Sequence, residues 1–260
     1  MKRALLPLLL ISVLSSAAAA DVSPLAWVNA LRSRAGSPPV EADVLLSKTA
    51  SSWASALAAA GVLSHRGSDG SSALDRYRRL GGTEVRVGEI LGAGPALADI
   101  EAAWEKSPDH RPLVLKPYWT HVGWGSAPVG APGGASGGAS GGEVVVFVVL
   151  FCQKLVDGLL IEEREGSLEV RGSLRPPDAR LPALLAGIRG IEPAEWDPHG
   201  RRFRFLVPPE ERAGYLRLGY IGGTGDLVVT NAITPPAITS PPGTGSPEAP
   251  GRFEAPAARP

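Results

Sequence analysis

The sequence predicts an α+β chain in two parts. A three-layer α-β-α sandwich is expected over residues 21–154 and a small antiparallel β-sandwich module over residues 159–233. Three observations carry this. Apolar residues ahead of residue 110 recur at helical spacing, as in Leu97, Ile100 and Trp104, three and four apart. The run from Val144 to Phe151 is apolar at every position, which is the pattern of a strand covered by helices on both faces. From Leu159 onward, short β-like runs alternate with turn residues, the texture of an antiparallel sandwich of immunoglobulin-like kind.

The chain opens on Lys2-Arg3, an apolar run over residues 4–14 and Ala17-Ala18-Ala19-Ala20. A basic start, an apolar middle and a small-residue end make a secretory signal peptide over residues 1–20. Cleavage after Ala20 leaves Asp21 first. The competing reading, an uncleaved anchor, requires about 20 apolar residues, and this run is shorter. No cysteine stands directly after the leader, which excludes a lipidated N-terminal Cys, and no other run is apolar enough to span a membrane. The expected location is secreted or extracytoplasmic, in a periplasm or outside the cell.

The helices follow in order. Ser23 caps the first and Pro24 sits in its first turn, so it runs to Ala35 and stops at Gly36. The second begins near Asp43, carries the stripe Leu46, Ala50, Trp53 and Leu57, and ends at Gly61. A short third helix over residues 72–80 carries Leu74, Tyr77 and Arg78 and ends at Gly81-Gly82. The fourth carries Leu97, Ile100 and Trp104. Pro108 stops it, having no N–H and disfavouring helical geometry in the residue before it. His110 is thereby expected on irregular backbone past a helix end.

Strands are expected at residues 84–91, 121–129 and 143–153, with GGASGGASGG making residues 130–142 a flexible loop. Further strands are expected at 159–163, 168–174, 202–207, 215–221 and 227–233. The Pro-rich tail over 235–260 is expected to be disordered or extended.

The totals exclude some function classes. The 260 residues carry 26 basic and 26 acidic side chains, so overall charge implies no nucleic-acid partner. Losing Lys2 and Arg3 with the leader shifts this balance to about −2. Cys152 is the one cysteine, so no intramolecular disulfide forms. It ends an apolar run and reads as a buried core residue, with no adjacent basic group to activate a thiol. No GxSxG elbow surrounds Ser47, Ser64 or Ser107, which disfavours a serine hydrolase.

The most informative stretch is Trp104, then Ser107-Pro108-Asp109-His110-Arg111, then Val122-Gly123-Trp124-Gly125. It resembles the bacterial branch of the CAP superfamily, the SCP-like extracellular domains related to cysteine-rich secretory proteins, venom antigens and pathogenesis-related proteins. Three upstream segments resemble the same family in the same order. They are Val28-Asn29-Ala30-Leu31-Arg32, then Ser64-His65-Arg66-Gly67, then Val87-Gly88-Glu89-Ile90. The resemblance runs from about Pro24 to Gln153 and does not reach the second module. It implies the CAP-like α-β-α fold and a central cleft in which His65, Glu89 and His110 converge. In the eukaryotic pattern a second Glu stands where this chain has Ser107.

The resemblance therefore implies a cleft of His65, Glu89, Ser107 and His110, with His65, His110 and Glu89 as the ligands of a divalent metal such as zinc, weakly bound for want of the second carboxylate. Spacing alone implies no such site, since nothing local resembles a motif such as HExxH. Asn29 and Arg32, three apart on one helix face, read as structural. Trp104, Trp119 and Trp124 suit either an apolar groove or the core. His121 reads as a surface or packing residue and His199 as a solvated turn residue.

Three functions compete. The first is a secreted or cell-envelope protein that binds a small molecule, lipid or protein partner at the His/Glu cleft without catalysis. The second is a metal-dependent hydrolase using the same cleft. The third is a structural envelope protein binding through its β module. The Ser at 107 favours the first or third.

Overall fold

The computed structural model describes residues 23–130, 144–212 and 214–236. The leader, nearly all of the Gly/Ser loop and the tail beyond residue 236 lie outside the described residues.

The first helix, α1 (Pro24–Arg34), begins at Ser23, whose hydroxyl accepts from the Leu25 N–H. The second, α2 (Val44–Ala60), is capped by the Asp43 carboxylate on the Leu46 N–H. It ends where Gly61 takes the left-handed conformation at φ 67°. A capping box of Ser72 and Asp75 opens α3 (Ala73–Arg79). The fourth helix is α4 (Leu97–Lys106). Here the structure corrects the sequence reading. His110 does not lie on irregular backbone but is the first residue of a fifth helix, α5 (His110–Val114). Pro108 does break α4, and the chain then restarts after one turn because Ser107 Oγ accepts from the N–H groups of Asp109 and His110.

Four strands form the central sheet: β1 (Glu41–Ala42), β2 (Val87–Gly94), β3 (His121–Pro128) and β4 (Val145–Cys152), in the order β1-β3-β4-β2. Strand β4 is central and antiparallel to both neighbours, with Cys152 opposite Val87 on one side and His121 on the other. Its alternate residues enter two cores. Val146, Val148, Leu150 and Cys152 meet α2 through Leu46, Ala50, Ala54 and Leu57. Phe147, Val149 and Phe151 meet Val28, Leu31, Ile100, Trp104 and Trp119 on the opposite face. This is the three-layer α-β-α arrangement.

Gly123 and Gly125 explain how close the layers come. A Cβ at Gly123 would overlap the Ser47 amide, and one at Gly125 would overlap the Ser51 backbone, so α2 rests directly on the backbone of β3.

The remaining strands are β5 (Val156–Arg164), β6 (Ser167–Leu174), β7 (Leu181–Ala186), β8 (Arg189–Ile191), β9 (Glu195–Asp197), β10 (Arg202–Val207), β11 (Leu216–Ile221) and β12 (Leu227–Ile233). They form two antiparallel four-stranded sheets, β5-β6-β10-β9 and β12-β11-β7-β8. Both bury side chains in one core that includes Leu168, Val170, Leu184, Phe203, Phe205, Leu216 and Leu218. Strand β5 starts three residues earlier than expected, and β7, β8 and β9 lie where the sequence predicts no strand. The expected strand over residues 84–91 is displaced to β2. Residues 83–85 bind the second module instead: Val85 N–H donates to the Thr230 carbonyl (3.2 Å) and Ala232 N–H to that of Thr83 (2.7 Å).

Candidate functional site

Glu89 is the third residue of β2, an edge strand. Strand alternation places it with Val87 and Leu91, on the face that packs toward α2 and α3. Its side chain is only 4% exposed, and both carboxylate oxygens are engaged. Oε1 accepts from His65 Nδ1 at 2.8 Å and Oε2 from Arg76 Nη2 at 2.6 Å.

Arg76, on α3, does three jobs. It neutralises Glu89, stacks over the Trp53 ring at 3.8 Å from its centroid, and donates through Nη1 to the carbonyls of Ser71 (3.0 Å) and His65 (3.3 Å). It thus holds the backbone of the 65–71 turn as well as the carboxylate that orients His65. The His65 side chain itself is 61% exposed, so its unbonded edge faces solvent.

His110 and Ser107 form a second pair. His110 Nδ1 lies 2.8 Å from Ser107 Oγ, and the imidazole packs near Trp104, with ring centroids 6.5 Å apart. Burial, and then the positive charge of a protonated His65, hold the His110 imidazole below its ordinary pKa, against Asp109. His65 thus acts on His110 through space and makes no direct bond to it among the described residues. Glu89 points to the α2/α3 side, whereas α4 and α5 pack with Ile90 and Trp104 on the other. The four residues therefore form two hydrogen-bonded pairs flanking β2.

The donors do not fit the three-ligand metal centre that the resemblance implies. Glu89 is committed at both oxygens, and the guanidinium beside it opposes a cation. Among the described residues, no three of His, Cys, Asp and Glu are grouped to hold an ion.

The other candidates take structural positions. Arg32 is fully buried and donates to the carbonyls of Pro38, Val114, Lys116 and Trp119, tying α1 to the chain after α5. Asn29 exchanges two hydrogen bonds with the Val40 backbone. Trp104 and Trp119 are core residues whose indoles donate to the carbonyls of Leu91 and Leu113. Trp124 instead lines a cavity of about 420 Å³ with Leu97 and Phe147.

His121 is buried beside Thr120 and 3.7 Å from Glu41. His199 is exposed in a turn closed by Asp197, and Asp109 is exposed. Cys152 is fully buried, and burial, then Glu84, push its thiol pKa far up. Arg76 is the member of the His65–Glu89 cluster that sequence reasoning missed. It stands near Arg78 and Arg79 on one helix, and only the packing of that helix selects it.

A family model described as CAP, cysteine-rich secretory protein family, matches residues 25–151. Two solved structures similar to the chain are an outer surface protein from Borrelia burgdorferi and an extracellular protein containing a SCP domain from Bacillus anthracis str. Ames. The first is 22% identical, covers 50% of this chain and 89% of that one, and has a TM-score of 0.42. The second is 20% identical, covers 49% of this chain and 38% of that one, and has a TM-score of 0.39. No curated protein matches. The family match ends within β4, short of the β module, and spans the motifs that carry His65, Glu89 and His110. Residues 25–151 of this chain belong to the CAP family of cysteine-rich secretory proteins.

Proposed function

We propose that the protein is exported and binds a ligand or partner, without catalysing a reaction, at the edge of the CAP sheet that His65 and His110 flank. One observation carries this. The only carboxylate of the set, Glu89, is spent on orienting His65 and pairing with Arg76. Position 107 supplies a hydroxyl in place of a second carboxylate. General acid/base chemistry needs a proton-transfer group free to face substrate. Here the buried carboxylate is occupied, and what reaches solvent is an oriented imidazole edge, suited to recognition. The leader motif supports export, and no helix among the described residues is long and apolar enough to cross a membrane.

The test is native mass spectrometry of the protein recovered from its own cells. A bound small molecule is expected on the wild type and absent from His65→Ala and His110→Ala. Hydrolysis of ester, peptide or phosphodiester probes that requires both His65 and Glu89 would favour the hydrolase instead.

A further inference from the structure

We infer that Ser107 fixes the tautomer of His110, so that the site offers one hydrogen-bond acceptor and one donor to a neutral, hydroxyl-bearing ligand and is set against a divalent metal. The ligand class rests on the reading above that a ligand meets His65 and His110. The tautomers rest on hydrogen bonding alone.

A hydroxyl has two lone pairs and one proton. Ser107 Oγ accepts from the Asp109 N–H at 3.3 Å and the His110 N–H at 3.2 Å, which uses both lone pairs. Only the O–H is left for His110 Nδ1 at 2.8 Å. Nδ1 is therefore the acceptor, and the proton of neutral His110 sits on Nε2. Across the edge strand the opposite holds. The Glu89 carboxylate, paired with Arg76, can only accept, so His65 Nδ1 carries the proton and Nε2 keeps its lone pair. The free edges of the two rings are an acceptor on His65 and a donor on His110.

Chemistry then sorts the ligands. A metal needs a lone pair on each coordinating nitrogen. His110 supplies one at Nε2 only by moving its proton to Nδ1, against an oxygen whose lone pairs are already taken. A carboxylate at position 107 would accept that Nδ1 proton and leave Nε2 free to coordinate, so the Ser at 107 removes the metal-competent tautomer. A carboxylate or phosphate ligand has only acceptors and meets a lone pair on His65. A hydroxyl group donates and accepts, and satisfies either ring.

Nitrogen-15 spectra of the imidazoles in the full exported chain decide the tautomers without any substitution. His65 is expected to be protonated on Nδ1 and His110 on Nε2. Zinc calorimetry then compares the wild type with Ser107→Asp and Ser107→Ala. The aspartate variant is expected to bind zinc about tenfold more tightly or better, the usual scale of a ligand-orienting partner, and the alanine variant to bind more tightly than wild type. Methyl β-glucoside, the neutral probe, is expected to shift both Nε2 signals, and acetate is not.

Protonation of His110 on Nδ1, zinc affinity unchanged in both variants, or a response to acetate without one to the glucoside would each overturn the inference. Assigned tautomers and improved zinc binding with silence toward both probes would support the role of Ser107 and count against the binding reading.

Discussion

Glu101 is buried on α4, and its Oε1 meets no hydrogen-bond partner among the described residues. Burial raises the pKa of this carboxyl, because the charged form loses hydration. Between the unfolded value, about 4.3, and the raised folded value, the folded state holds more protons than the unfolded one. Stability present below the unfolded value is therefore lost as pH rises through the folded one. Glu101→Gln removes this dependence and is expected to add about 1 kcal/mol at neutral pH, roughly 2–4 °C in Tm, with little gain at pH 4. Thermal unfolding at both pH values checks it; equal effects would mean that Glu101 does not titrate on unfolding. Cys152→Ala should cost about 1 kcal/mol of packing and leave the imidazole signals of His65 and His110 unchanged. At this scale His65, Glu89 and His110 are singled out by the family resemblance of the short motifs they stand in, because spacing alone implies no shared site. Arg76 was not, because its role depends on a cation stacked on Trp53 from a different helix. Ser107 was legible as a departure, and its bond to His110 was not.

Among the elements, the longer helices α1 to α4 were legible to within a residue or two, helped by local chemistry at their ends: Ser23, Asp43 and Ser72 at the starts, Gly61 after α2. The five-residue α5, right after Pro108, was not. The strands β7, β8 and β9 carried no such signal. Residues 181–186 read Leu-Pro-Ala-Leu-Leu-Ala, with a proline and helix-favouring leucines and alanines, and the other two strands are three residues each. Pairing of β7 with β11 overrides that local preference. Gly123 and Gly125 stand out in the sequence only as part of the Val-Gly-Trp-Gly motif, which does not say what approaches them. Since α2 backbone fills the space a Cβ would need, Gly123→Ala and Gly125→Ala should each cost about 1–3 kcal/mol or more. Gly190→Ala in β8 opens onto empty space and serves as the near-neutral control. Thermal melting of the three variants decides it; a Gly123→Ala variant as stable as the control would mean that α2 does not rest on β3 at this point.

For the whole molecule, export predicts that the mature chain begins at Asp21. N-terminal sequencing of secreted material checks it, and an intact Met1 would rule it out. The second whole-molecule prediction concerns how the parts depend on each other. The CAP portion has two cores, one on each sheet face, and neither cluster includes a residue beyond Cys152. The β module has its own core, built from residue 155 onward. Besides the chain, polar bonds between described residues join them. There are two backbone bonds between residues 83–85 and β12, a bond from Asn231 to Thr83, and an exposed pair of Arg175 with Glu41. Hydrogen bonds of this kind contribute about 1 kcal/mol each, and an exposed ion pair less. Burial of the apolar cores outweighs these contacts, so a chain ending at Lys154 should fold, with a native-like far-ultraviolet spectrum, a cooperative melt and a modestly lower Tm. The loss should be local. Amide exchange should speed up at Val85, whose acceptor on Thr230 is gone, while Val148 and Leu150 in β4 stay protected. A truncated chain that melts without cooperativity would show that residues 83–85 need β12 to hold Glu84 beneath Tyr77, and that the two parts fold as one unit.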